Sequence, residues 1–141
     1  MVIVTGSQHS GKSTVAQYLE NDYVTFFNYI NDINSIDTYK LVLHKLSKHN
    51  VVECGLKVAF LFQILNIECR TILVKSDRDL KYKRLDATSG KRQHQYEVEF
   101  DEGDRIERIL KTDIILYNNE TIEKLYETID QTIKPRIGGW M

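Results

Sequence analysis

The stretch Gly6-Ser7-Gln8-His9-Ser10-Gly11-Lys12-Ser13 constrains this chain more than any other. It fits G-x-x-x-x-G-K-[ST] without a gap, and it follows the apolar, β-branched run Val2-Ile3-Val4. Such a run suits a central strand covered on both faces. The two glycines allow backbone angles that a Cβ would obstruct, so the loop can wrap an anion with its N–H groups turned inward. Lys12 brings a cation to the phosphates, and the Ser13 hydroxyl is a candidate ligand for Mg2+. Thr14 to Leu19 continues as a helix whose N-terminal dipole favours the anion. Strand, loop and helix in that order predict a phosphate cradle over residues 6–14. Gln8 and His9 read as fillers of its variable positions.

The rest of the chain alternates in the same way. Strands are expected at Val2–Thr5, Tyr23–Ile30, Val51–Gly55, Cys69–Val74 and Asp113–Tyr117, the second from its aromatic and β-branched content. Helices are expected at Gly11–Glu20, Ser35–His49, Lys57–Leu65, Arg78–Leu85, Tyr96–Leu110 and Thr121–Ile133, where apolar positions recur at helical spacing. Ala87–Gln95 has no apolar period and reads as a loop. The segment after Pro135 reads as a loose tail. This order predicts a single α/β domain, with a five-stranded parallel sheet between two layers of helices. Ligands on such sheets sit at the carboxyl ends of the strands. That edge collects the 6–13 loop, Glu53 and Asn118-Asn119.

The chain has 141 residues and a net charge of -1, enough for one core and with no overall charge that would draw nucleic acid or membrane. No apolar run reaches membrane-spanning length. The opening residues are core strand, so no signal peptide is expected, and a cytoplasmic location is. Cys54 and Cys69 stand in strand-like apolar contexts and read as buried free thiols.

Arg78, Lys81, Lys83 and Arg84, followed by Lys91 and Arg92, make a basic helix and loop before the last strand. Phosphoryl transfer needs cations that arrive on closure and exclude water, so residues 84–97 read as a short cationic lid with Arg84 and Arg92 as its phosphate contacts. Lys81 and Lys83 read as a solvated helix face. Glu53 follows two valines at a strand end, where an acid can orient Mg2+ or its waters. Asp32 is either a turn former or a contact for an acceptor base or hydroxyl. An N-K-x-D base-reading motif is absent.

The order GSQHSGKST, VVECGLK, ILVKSDRDLKYKRLDATSGKRQ and TDIILYNNETIEKLYETID resembles the nucleoside monophosphate kinase group of P-loop proteins. Within that group it is most similar to the phage-type deoxynucleoside monophosphate kinases and the dephospho-coenzyme A kinases. The resemblance implies the P-loop NTPase fold, ATP and Mg2+ as cofactors, and a small nucleotide as the second substrate. It implies that Lys12 stabilises the transferred phosphoryl group and that Asn118-Asn119 lies against adenine. Arg84 and Arg92 would be lid arginines, and Lys57 would stand where that group places a basic residue on the acceptor phosphate. The chain departs from the group in one respect. Only about thirty residues separate the first helix from the third strand, and no arginine occurs before Arg70. Other readings therefore stay open: a kinase acting on a nucleic-acid 5′ end or a coenzyme precursor, or a nucleotide-binding regulator with little turnover. A monomer or homodimer is expected.

Overall fold

The computed structural model describes residues 1–88 and 93–141, with the side chains of 86–95 outside the description. Five parallel strands are ordered β2-β3-β1-β4-β5. They are β1 (Val2–Thr5), β2 (Val24–Thr25), β3 (Val51–Cys54), β4 (Arg70–Lys75) and β5 (Ile114–Tyr117). β1 is central, with Val4 in register with Glu53 on one side and Ile72 on the other. The strands that flank it are almost wholly buried, which is why their sequences read as continuous apolar runs.

Alternation along each strand divides the core into two layers. Ile3, Val52 and Leu73 face α2 (Ile36–Leu46) and α3 (Leu56–Ile64). Val2, Val4, Val51, Ile72 and Val74 face α1 (Lys12–Leu19), α6 (Ile122–Thr132) and α7 (Lys134–Ile137). Two further helices, α4 (Arg78–Thr88) and α5 (Gln93–Ile109), join through a small cluster of Leu85, Tyr96 and Phe100 with Tyr82 against it. Thr121 and Ser35 cap α6 and α2, and Ser35 forms a reciprocal capping box with Thr38.

Three expectations need correction. Strand two is only Val24–Thr25, and Phe26–Asp32 forms a 3-10 helix. The Thr25 hydroxyl accepts from Phe27 N–H and turns the chain. Phe26 and Tyr29, three apart, then face the core, while Phe27 points out at 74% exposure. The tail is ordered rather than loose: Ile137 is buried, Trp140 packs against the core, and the Met1 nitrogen donates to the Trp140 carbonyl. The loop expected at Ala87–Gln95 is shorter, since α4 runs on to Thr88 and α5 begins at Gln93. Among the described residues, no helix is long and apolar enough to cross a membrane. Both cysteines are free; Cys54 is buried as expected, whereas Cys69 is only partly so.

Candidate phosphate-binding site

The loop between β1 and α1 closes on Gly11, which caps α1 in the left-handed region at φ 96. A Cβ there would be strained and would collide with the Asn118 side-chain amide. His9 also has positive φ, at 63. The loop is braced from behind by three residues of other elements. Asn118 Nδ2 donates to the Ser10 carbonyl at 3.0 Å. Arg84 Nη1 donates to the His9 carbonyl at 2.6 Å and to Ser76 Oγ at 2.9 Å, while its Nη2 reaches the Asn118 carbonyl at 3.2 Å. Ser76 Oγ lies 3.0 Å from the Ser10 carbonyl and 2.7 Å from that of Asn118, sharing its one proton between them. Tying down these carbonyls leaves N–H groups of the loop for an anion, apart from that of Ser10, which donates to the Ser7 carbonyl at 3.2 Å.

Lys12 and Glu53 meet at the mouth, with Nζ 3.9 Å from Oε1. Burial draws the Lys12 ammonium below the ordinary lysine pKa, against the opposing pull of Glu53 and Cys54. Burial and the neighbouring Lys12 and Arg84 charges lower His9 as well. The exposed Ser13 and the buried Glu53 line one cavity together with Lys12 and Thr25. A hydroxyl and a carboxylate suit Mg2+, which is held by few protein oxygens and takes its remaining ligands from phosphates and water.

A second cavity of about 360 Å3 opens in front of the loop. Gly6, Ser7, Gln8 and Lys12 form one wall, Leu56, Val58, Phe100 and Ile106 form an apolar part, and Lys57, Glu99 and Glu102 add charged groups. Gly103, in the middle of α5, faces this cavity, where an added Cβ would stand 3.2 Å from the Leu56 Cδ1 methyl and in ordinary contact with Ser7 at 3.8 Å. Lys57 borders the cavity but pairs with Glu102 at 2.8 Å. Asp32 is exposed at the end of the 3-10 helix and lines neither cavity at the loop. Asn119 Oδ1 accepts from Asp77 N–H, closing the turn after β5 on the turn after β4. Arg92 lies outside the described residues.

Two residues of this site were not anticipated. Ser76 gave no signal beyond its place after a strand. Lys81, expected in solvent, is 4% exposed and donates to Ser7 Oγ at 2.9 Å. Its place four residues before the buried Leu85 is the signal that puts it on the inner face.

A central β1, a phosphate loop at its carboxyl end and helices on both faces make the three-layer P-loop NTPase fold. Solved structures share it over nearly the whole chain. Shikimate kinase from Bacteroides thetaiotaomicron superposes with a TM-score of 0.69 at 14% identity, covering 95% of this chain and 96% of that one. Shikimate kinase from Acinetobacter baumannii, in complex with shikimate, gives 0.68 at 14%, covering 96% and 93%. The Aquifex aeolicus shikimate kinase gives 0.61 at 18%, covering 99% of each chain. No protein-family model matches the chain, and no curated protein sequence matches it either.

Proposed function

We propose that this chain is a small Mg-ATP-dependent phosphotransferase that moves the γ-phosphoryl group to a small acceptor. One observation carries the reading: the phosphate loop, with Lys12, opens directly onto a half-apolar cavity of small-molecule size. ATP would lay its phosphates in the 6–14 loop, with its base toward Asn118-Asn119. Ser13 and Glu53 would hold Mg2+, which supplies charge neutralisation for the phosphates. Lys12 would follow the transferred group and Arg92 would be the cation of the closing segment, whereas Arg84, expected beside it as a lid arginine, would hold the loop through the His9 carbonyl instead. Positioning and charge neutralisation are what such a transfer asks of a protein.

The acceptor would sit between the loop and α5, near Lys57, with Asp32 as the more distant candidate. A nucleoside or deoxynucleoside monophosphate, as in the phage-type kinases, is the first class to test. The shikimate bound to one structural neighbour adds hydroxylated ring acids. A second reading, a nucleotide-binding regulator with little turnover, is favoured by the pairing of Lys57 with Glu102. Among the described residues, that leaves Lys12 as the only unclaimed cation lining the cavity apart from its long contact with Glu53.

The deciding experiment follows ADP formation from Mg-ATP with a panel of nucleoside monophosphates, deoxynucleoside monophosphates, dephospho-coenzyme A and shikimate, beside a Lys12→Ala control. ADP that depends on one acceptor and vanishes in the control establishes the kinase. Tight Mg-ATP binding with no acceptor-dependent ADP overturns it in favour of the regulator.

A further inference from the structure

Lys81 carries a charge where the fold has no need of one. It sits on α4 with 4% exposure, its ammonium 4.3 Å from the ring centre of Phe100. Among the described residues, no carboxylate comes within ion-pair distance of it. Glu107 and Asp104 act on it only from farther off, against the opposing charges of Arg78 and Lys75. Burying an ammonium is costly unless it is well paired and hydrogen-bonded. An apolar side chain would fill the same place beside Phe100 without that cost. One of the three N–H donors goes to Ser7 Oγ at 2.9 Å, and Ser7 is the first variable residue of the phosphate loop. Ser7 and Phe100 both line the cavity that contains Lys12. Three residues along α4, Arg84 holds the same loop at the His9 carbonyl.

We propose that Lys81 is a positioning residue for the phosphate loop. Its ammonium fixes the Ser7 hydroxyl, and with it the first turn of the loop, to α4 and α5. The loop then meets nucleotide phosphates already shaped, with its opening and its far side held from one helix. This rests on the phosphate-binding half of the reading above, and extends it to a residue that neither the loop motif nor the lid accounts for.

The test measures Mg-ATP affinity by calorimetry and thermal unfolding for the wild type, Lys81→Met, Ser7→Ala and the double variant. Lys81→Met should weaken Mg-ATP binding roughly tenfold, the worth of a hydrogen bond to a charged group. Its melting temperature should stay level or rise, because an under-paired buried charge has been removed. The double variant should bind no more than about twofold worse than Lys81→Met, since both changes break one contact. In turnover assays the ATP KM should rise with kcat kept, whereas a merely structural defect would lower the active fraction and leave KM alone. Wild-type affinity in Lys81→Met, a fall in affinity matched by a fall in melting temperature, or additive losses in the double variant would each overturn the proposal. Affinity is read without turnover, so a wild-type chain that binds Mg-ATP and transfers nothing sinks the kinase reading and leaves this test standing.

Discussion

Asn118 Nδ2 and the Ser10 carbonyl are joined by a 3.0 Å hydrogen bond across 108 residues of chain. The bond is buried, and it lies where a Cβ on Gly11 would have to go. The phosphate loop and the turn after β5 are therefore shaped to each other. Asn118→Ala should lower stability by about 1–2 kcal/mol, the usual cost of leaving a buried carbonyl short of a donor. Gly11→Ala should do more harm, because it adds strain at positive φ to the collision. Chemical denaturation with Mg-ATP titration separates the two: Asn118→Ala should keep weakened binding, whereas Gly11→Ala should lose it.

Arg84 spans three acceptors with one planar fork, reaching His9, Ser76 and Asn118. Arg84→Lys cannot reproduce that spread from a single ammonium. Both Arg84→Ala and Arg84→Lys should loosen the loop and weaken Mg-ATP binding by roughly tenfold, the worth of a hydrogen bond to a charged group. Arg92→Ala, which removes the lid arginine, should lower turnover by roughly ten- to a hundredfold with a smaller effect on ATP affinity. Steady-state kinetics on the accepted substrate reads all three: an unchanged ATP KM in the Arg84 variants would remove the bracing role, and an unchanged kcat in Arg92→Ala would remove the lid role.

His9 gives the site a dependence on acid. Its pKa is lowered from 6.5 by burial first, then by Lys12 and Arg84. Between the lowered folded value and the unfolded one, the unfolded chain binds more protons. Stability therefore rises with pH across that window, and is lost as pH falls from about 6.5 through the folded value. His9→Asn tolerates the positive φ and removes the titration. Melting temperature measured from pH 7 downward should fall more gently in His9→Asn than in the wild type. Parallel slopes would show that His9 contributes nothing.

Much of this architecture could be read from the chain, and the exceptions have physical causes. β1, β3 and β4 announce themselves because strands buried on both faces have no polar face to confuse with anything else. The loop motif needs no tertiary context. Phe26–Asp32 misled because aromatic residues favour strands on average, while here a hydroxyl at Thr25 turned the chain and a three-residue period took over from a two-residue one. Lys81 misled because charge argues for solvent, and only the facing Ser7 and Phe100 make its burial tolerable. The bracing hydrogen bonds of Ser76 and Asn118 join turns that are distant in sequence, which no local pattern encodes.

The ordered end of the chain is a further point of leverage. Ile137 is 9% exposed in the layer that contains α1 and α6. Ile137→Ala should cost about 2 kcal/mol by emptying that place. A chain stopped after Ile133 should melt several degrees lower and keep its phosphate loop, since none of the bracing contacts comes from the removed residues. Thermal unfolding of both variants checks this, and a truncated chain as stable as the full one would show that the segment contributes nothing.

The central position of β1 has a consequence for how the molecule is made. Val2 pairs with Val51 on one side and Arg70 on the other, so β1, made before the other strands of this sheet, has no neighbour until β3 and then β4 follow. Its partners are distant in sequence, and closing those long loops comes before any reward from pairing. The phosphate loop hangs from the end of that waiting strand. Its bracing residues Ser76, Arg84 and Asn118 arrive later still. Nucleotide is thus expected to bind late in folding, after β5 has docked, and to select for chains in which synthesis has passed Asn118.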